Sequence, residues 1–144
     1  MAGTITGTLT RVPTQQIRPQ IVRINLTCTA DAADGSYPST TINSLDNISD
    51  WIITGLKLYS IKIIPDVVIP PTNLFSMTIL DDLGVDLLGS RGIGIIPTSG
   101  PLWIPCGPDR IILPALILGD IFINISDNEV NSAILTVELE LIGE

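Results

Sequence analysis

The 144-residue sequence contains no histidine. That absence removes the commonest general base, the usual metal ligand and the Ser-His-Asp arrangement together. Positive charge is scarce as well, with seven Lys and Arg against fifteen Asp and Glu and a net charge of −8. The nearest thing to a basic group, Arg11, Arg18 and Arg23, is interrupted by Pro13, Gln15, Gln16 and Pro19. Binding a phosphate backbone needs several cations on one face, so no direct nucleic-acid partner is expected. No apolar run reaches the roughly 18 residues of a membrane helix without meeting Pro, Gly or charge. The opening MAGTITGTLTRV has neither the basic nor the apolar segment of a secretory leader. Neither a membrane partner nor a secretory route is expected, and the sequons at Asn25, Asn47 and Asn124 carry little weight on their own. Also missing is any amphipathic helical pattern longer than about two turns.

Apolar residues are plentiful by contrast: 45% of the chain, with 15% charged and a mean hydropathy of +0.48. The length fits one domain with a real core. A chain this apolar without a membrane span is expected to shield part of its surface against other subunits, because large exposed apolar patches are unusual on monomers.

The apolar residues alternate at the period of strands. Residues 4 to 10, TITGTLT, read as a strand, or as an extended arm that becomes one against a neighbour. RVPTQQIRP, 11 to 19, reads as a linker. The domain division is therefore an arm and linker over 1–20 and a β-sandwich domain over 21–144. IVRINLTCT (21–29) places Val22, Ile24, Leu26 and Cys28 on one face. The polar connection 30–50 has room for one helical turn near Ser44 to Ile48. WIITGLKLYSIKII (51–64) slips phase between Leu58 and Ile61, which predicts a β-bulge near Tyr59–Ser60. PDVVIPPTN is a Pro-bounded loop. DIFINIS turns Ile121, Ile123 and Ile125 inward. ILTVELELI does the same with Leu135, Val137, Leu139 and Leu141, leaving Glu138 and Glu140 to water. Seven or eight such strands imply an all-β fold, an antiparallel sandwich or jelly roll.

The stretch MTILDDLGVDLLG (77–89) sets three aspartates, Asp81, Asp82 and Asp86, around Gly84. A calcium loop wants carboxylates at alternate positions, a glycine and a distal glutamate. That spacing is not met, and the flanking alternation favours a hairpin in which Gly84 supplies the positive φ of the turn and Val85 and Leu87 resume the strand. Zinc would have two cysteines without paired spacing. Cys28 reads as a core residue; a disulfide to Cys106 stays open, with two reduced thiols as the expectation. No pair among the acids stands out for glycosidic chemistry, and GIGIIP lacks the strand–helix setting of a phosphate cradle. No enzymatic activity, no metal and no cofactor are expected. Trp51, Trp103, Tyr37 and Tyr59 could form a sugar platform, but with six aromatics in all the favoured reading makes Trp51 a core residue and Trp103 a core or interface residue.

TCTADAADGSYPSTTI, SMTILDDLGVDLLG and NEVNSAILTVELEL resemble, in patches over residues 24–142, small β-rich virion proteins of tailed bacteriophages. The Pro-Ile-Gly region 89–118 departs from that pattern. The resemblance implies a structural role in a virion and supplies no site residues. It leads to a capsid decoration (cement) protein that forms a homo-oligomer, a trimer by expectation, and bridges major capsid subunits in a particle assembled in the host cytoplasm. A tail adaptor or fibre component, or a carbohydrate-binding module for host attachment, are the alternatives. The residues proposed to meet a partner are Ile93, Ile95, Ile96, Leu102, Trp103 and Ile104 in the Gly/Pro-broken region, with Trp103 as anchor, and Ile5 and Leu9 in the arm.

Overall fold

The computed structural model describes residues 2–12, 20–48, 53–97, 100–107 and 111–143. The described chain is all-β: β1 (Thr4–Val12), β2 (Gln20–Thr29), β3 (Thr40–Thr41), β4 (Lys57–Pro65), β5 (Ser76–Leu80), β6 (Leu102–Pro105), β7 (Ala115–Leu116), β8 (Phe122–Ser126) and β9 (Ile134–Gly143). They form two antiparallel sheets. The larger runs β1-β2-β9-β4-β6, with β7 also on β4, and the smaller runs β3-β8-β5. Their inner faces meet in one core. The architecture is the expected sandwich, with nine strands where seven or eight were anticipated.

Alternation builds the large sheet. Register rows such as Leu9–Ile24–Leu139–Ile61–Ile104 cross five strands with their side chains on the core side. Only Leu9, at the sheet's edge, stays partly exposed. The phase slip in β4 is a break in pairing to β9 between Leu58 and Ser60, so Tyr59 is the extra residue of a bulge, where the sequence placed it. Among the described residues the strand begins at Lys57, because Gly55 at φ +90° and the Leu56-to-Ile53 bond (3.1 Å) close a turn before it; residues 51 and 52 of the expected strand lie outside the described residues. The helical turn in the long connection is a 3-10 turn at Ile42–Ser44, two residues earlier than expected, and a further Ile48-to-Leu45 bond carries the curl on to Ile48.

The separate N-terminal arm is a correction. Thr4–Val12 pairs with β2 through nine consecutive registered positions and belongs to the domain. Gly7 explains part of the docking: a Cβ there would lie 2.8 Å from Leu26 and 3.0 Å from Leu45 and Ile48, so its absence lets the 42–48 segment close over this strand. The linker residues 13–19 and Trp51 lie outside the described residues.

The aspartate hairpin is half right. Gly84 has φ +85°, its N–H reaches the Asp81 carbonyl at 3.1 Å, and the Asp81 carboxylate accepts the Leu83 and Val85 N–H groups at 2.9 and 2.8 Å. The return strand shrinks to one bridge, Leu80 with Asp86. Asp86 is the reason: its carboxylate accepts N–H groups of Ile79, Leu88 and Ser90 at 3.3, 3.1 and 2.9 Å and curls the chain away from the sheet.

Candidate interaction surface

The proposed contact residues divide. Ile5, Ile95 and Ile104 are buried in the core, so these three are corrected from interface to packing, whereas Leu9 packs against the core but stays half-covered at the sheet's edge. Ile95 turns inward because its backbone bridges Phe75, with N–H to O at 2.8 Å, while its carbonyl accepts from Leu74 at 2.8 Å. Ile104 lies opposite Ile61 in the inward row of β4 and β6. Ile93, Ile96, Leu102 and Trp103 remain exposed.

Around Ile93, Ile96 and Leu102 the structure adds residues that the sequence did not single out. A hollow of about 280 Å³ is lined by Ile93, Ile96, Pro101 and Leu102 among others. A second, of about 360 Å³, is lined by Ile64, Val67, Pro70, Pro97 and Pro101. Gly100 and Pro101 line both, so the two hollows adjoin there and together make a largely apolar groove, with Arg91 and Asp66 among its lining residues. Val67 lines it, and Val67 and the adjacent Val68 are 95% and 84% exposed. The signal for them was present in PDVVIPP: two adjacent valines inside a proline-bounded loop have no strand to bury them. The loop's shape comes from Asp66, whose carboxylate accepts the Val68 and Ile69 N–H groups at 3.0 and 2.9 Å.

Trp103, 60% exposed, occupies a different face. It pairs with Lys62, which pairs with Glu138 on β9, so its ring belongs to the outer surface of the large sheet. There Arg23 forms ion pairs with Glu138 and, at 3.2 Å, with Glu140, while Lys62 reaches Glu140 at 3.7 Å. Glu138 and Glu140 are thus half-buried members of a cross-strand lattice and not freely solvated. Of the proposed sugar platform, Tyr37 is removed: it is buried, and its hydroxyl donates to the Ala133 carbonyl at 3.0 Å. Tyr59, the bulge residue, is exposed. A second apolar stretch, Ile111, Ile112, Leu113, Leu116 and Leu118, is exposed, and its Leu116 and Leu118 share a crevice with Leu83, Asp82 and Asp120.

The two thiols are chemically quiet. Cys28 and Cys106 are both free and buried, and burial pushes each thiol from an ordinary value of 9.0 up to about 12. Arg91 acts in the opposite direction on Cys106 and Asp86 in the same one, both less than burial does. The thiolate, which is the nucleophile, is thereby suppressed. Among the described residues no group of three or more Cys, Asp or Glu is placed to hold a metal ion. Asp81 and Asp86 instead cap backbone N–H groups, as described above. What the surface offers is area: an apolar groove, an aromatic ring on a charged lattice, and an apolar stretch at 111–118.

Comparison with protein families, with characterised proteins and with solved structures finds no match to this chain.

Proposed function

We propose that this chain is a structural subunit of a tailed-phage virion, a capsid decoration protein that binds major capsid subunits as a homo-oligomer, with a trimer as the expected unit. The patchwise resemblance points to the particle. The observation that carries the reading is the pair of adjoining hollows between Val67 and Leu102, exposed apolar surface on a domain that has its own core. Its role is mechanical. Seating the groove at a junction between capsid subunits removes it from water and ties those subunits together. An interface burying ~900 Å² of apolar area contributes on the order of 20 kcal/mol before association and ordering costs. Repetition over a shell multiplies a modest single contact through avidity.

The test is to locate and count the protein in intact particles by electron microscopy. Hundreds of copies on the head support decoration, whereas six to twelve or so at the tail reassign it to an adaptor or fibre. A protein that is monomeric by light scattering and binds no capsids ends the proposal. Trp103, exposed beside Lys62 and Glu138, favours one further reading, a sugar-binding face. Glycan-array binding lost on Trp103→Ala would support that reading over the first.

A further inference from the structure

A sheet's edges invite pairing with other chains unless something blunts them. Among the described residues, three of the four edges in this sandwich are blunted. β3 has two residues. β6 has four, with Pro101 before it and Pro105 at its end. β5 is covered by the 86–95 segment, which takes the Met77 N–H on the Gly92 carbonyl and gives the Leu87 N–H to the Ile79 carbonyl, both at 2.7 Å. β1 is different. It runs nine residues with no proline and no register break, and carries no charge from Thr4 to Thr10. On its far side, no described backbone group pairs with it.

The sequence of that edge is a palindrome. In Thr4-Ile5-Thr6-Gly7-Thr8-Leu9-Thr10, Gly7 is the centre, and threonine, aliphatic and threonine follow in both directions. From this edge we infer that β1 pairs antiparallel with the β1 of a second copy about a two-fold axis through Gly7, joining two large sheets into one. The axis places Thr6 opposite Thr8, Ile5 opposite Leu9 and Thr4 opposite Thr10 of the partner copy. Side chains then match face for face: outer threonines meet outer threonines, a favoured cross-strand pair, and core-side aliphatics meet core-side aliphatics. Two-fold contacts require a patch complementary to itself, which this palindrome is. Charge argues for the same partner. Two chains at −8 repel each other on the whole, and the strand from Thr4 to Thr10 adds no charge of its own, although Asp46 stands across a hollow from Ile5–Gly7. Leu9, left half-covered at the sheet's margin, is sheltered by the second copy. The pairing is separate from the groove and does not depend on the virion reading.

Crosslinking reads the register. Thr6 and Thr8 are exposed, so cysteine is tolerated at either position. A mixture of Thr6→Cys and Thr8→Cys chains is expected to give mixed disulfide dimers on mild oxidation, several-fold more than either chain alone. Opposed residues lie within disulfide reach, whereas 6–6 and 8–8 pairs are offset by two residues. The double variant Thr6→Lys/Thr8→Lys sets like charges directly opposite each other and is expected to weaken dimerisation at least tenfold by sedimentation, with the circular dichroism spectrum of the original chain and a melting temperature no longer dependent on protein concentration. A monomeric original chain, a lysine variant that associates undiminished, or disulfides that prefer 6–6 pairing would each overturn the inference. Undiminished association leaves the groove-based proposal intact, and edge dimers that bind no capsid sink that proposal alone.

Discussion

The large sheet and the loop-built groove handle the same kind of side chain in opposite ways. On β2 and β9, every second residue is buried without exception from Val22 to Cys28 and from Leu135 to Leu141. Across 93–104, burial follows no period: Ile95 and Ile104 are inside, while Ile93, Ile96, Leu102 and Trp103 are outside. In a strand, the pleat decides direction once pairing is set. In the groove, turns decide it, with Gly94 at φ +70° and Gly100 at φ +85° re-aiming the chain between isoleucines. Hydrophobicity alone therefore says that a residue is to be covered, and the backbone says whether the chain itself does the covering.

The sharpest contrast to test is between one buried and one exposed aliphatic. Leu26 is fully buried in β2, against the bare backbone of Gly7. Leu26→Ala is expected to cost about 2–5 kcal/mol, from lost burial and an unfilled cavity. Ile96→Ala in the groove is expected to shift stability by less than about 0.5 kcal/mol. Denaturant midpoints at constant slope measure both. Equal losses would mean that the groove is part of the core and that its exposure has no bearing on assembly.

The sheet was legible because its signal is redundant. On β2 and on β9 four inward apolar residues all have to agree, and even the Leu58-to-Ile61 slip announced its bulge. The candidate surface was legible only by composition. That 89–118 would be apolar and broken could be read directly, but the burial of Ile95 depends on backbone bonds to Leu74 and Phe75, some twenty residues away. Ile104 was misassigned because its strand is too short to show alternation. Ile5 was misassigned because a lone N-terminal strand carries no mark of its partner, although Gly7 at its centre hinted at a close approach. Val67 and Val68 went unmarked because a Pro-bounded loop reads as a connection.

A smaller effect, shared by the two regions, depends on pH. Cys28 packs in the inward row of the sheet beside Leu135, and Cys106 follows β6 where the loops begin. Both thiols ionise at about 12 in the fold instead of 9.0. The unfolded chain therefore loses protons first as pH rises, and stability is expected to fall from about pH 9 toward pH 12. Each thiol contributes a slope of up to about 1.4 kcal/mol per pH unit, and below pH 9 neither contributes. Tyr37, raised by burial first and by Cys28 second, adds to the loss at the upper end. Chemical denaturation at pH 8 and pH 10 should show the fall, and Cys28→Ala should remove part of it. A stability unchanged over that interval would mean that water reaches the thiols.

The smallest effect on folding should accompany a large effect on association. Val67→Ser/Val68→Ser replaces two side chains that touch mostly solvent, so the midpoint of unfolding should move by less than about 0.5 kcal/mol. The loop keeps its shape because its two internal bonds end on the Asp66 carboxylate and leave the valines out. Asp66→Ala is the informative partner: it leaves both valines in place but frees the Val68 and Ile69 N–H groups from their acceptor. If the groove binds as a formed surface, each variant weakens attachment to capsids or to other copies, the first by removing contact area and the second by loosening its presentation. If only composition matters, Asp66→Ala binds as before and the serine variant alone fails. Binding retained by both would move the contact away from this end of the sandwich, toward the Ile111–Leu118 stretch or the Trp103 face.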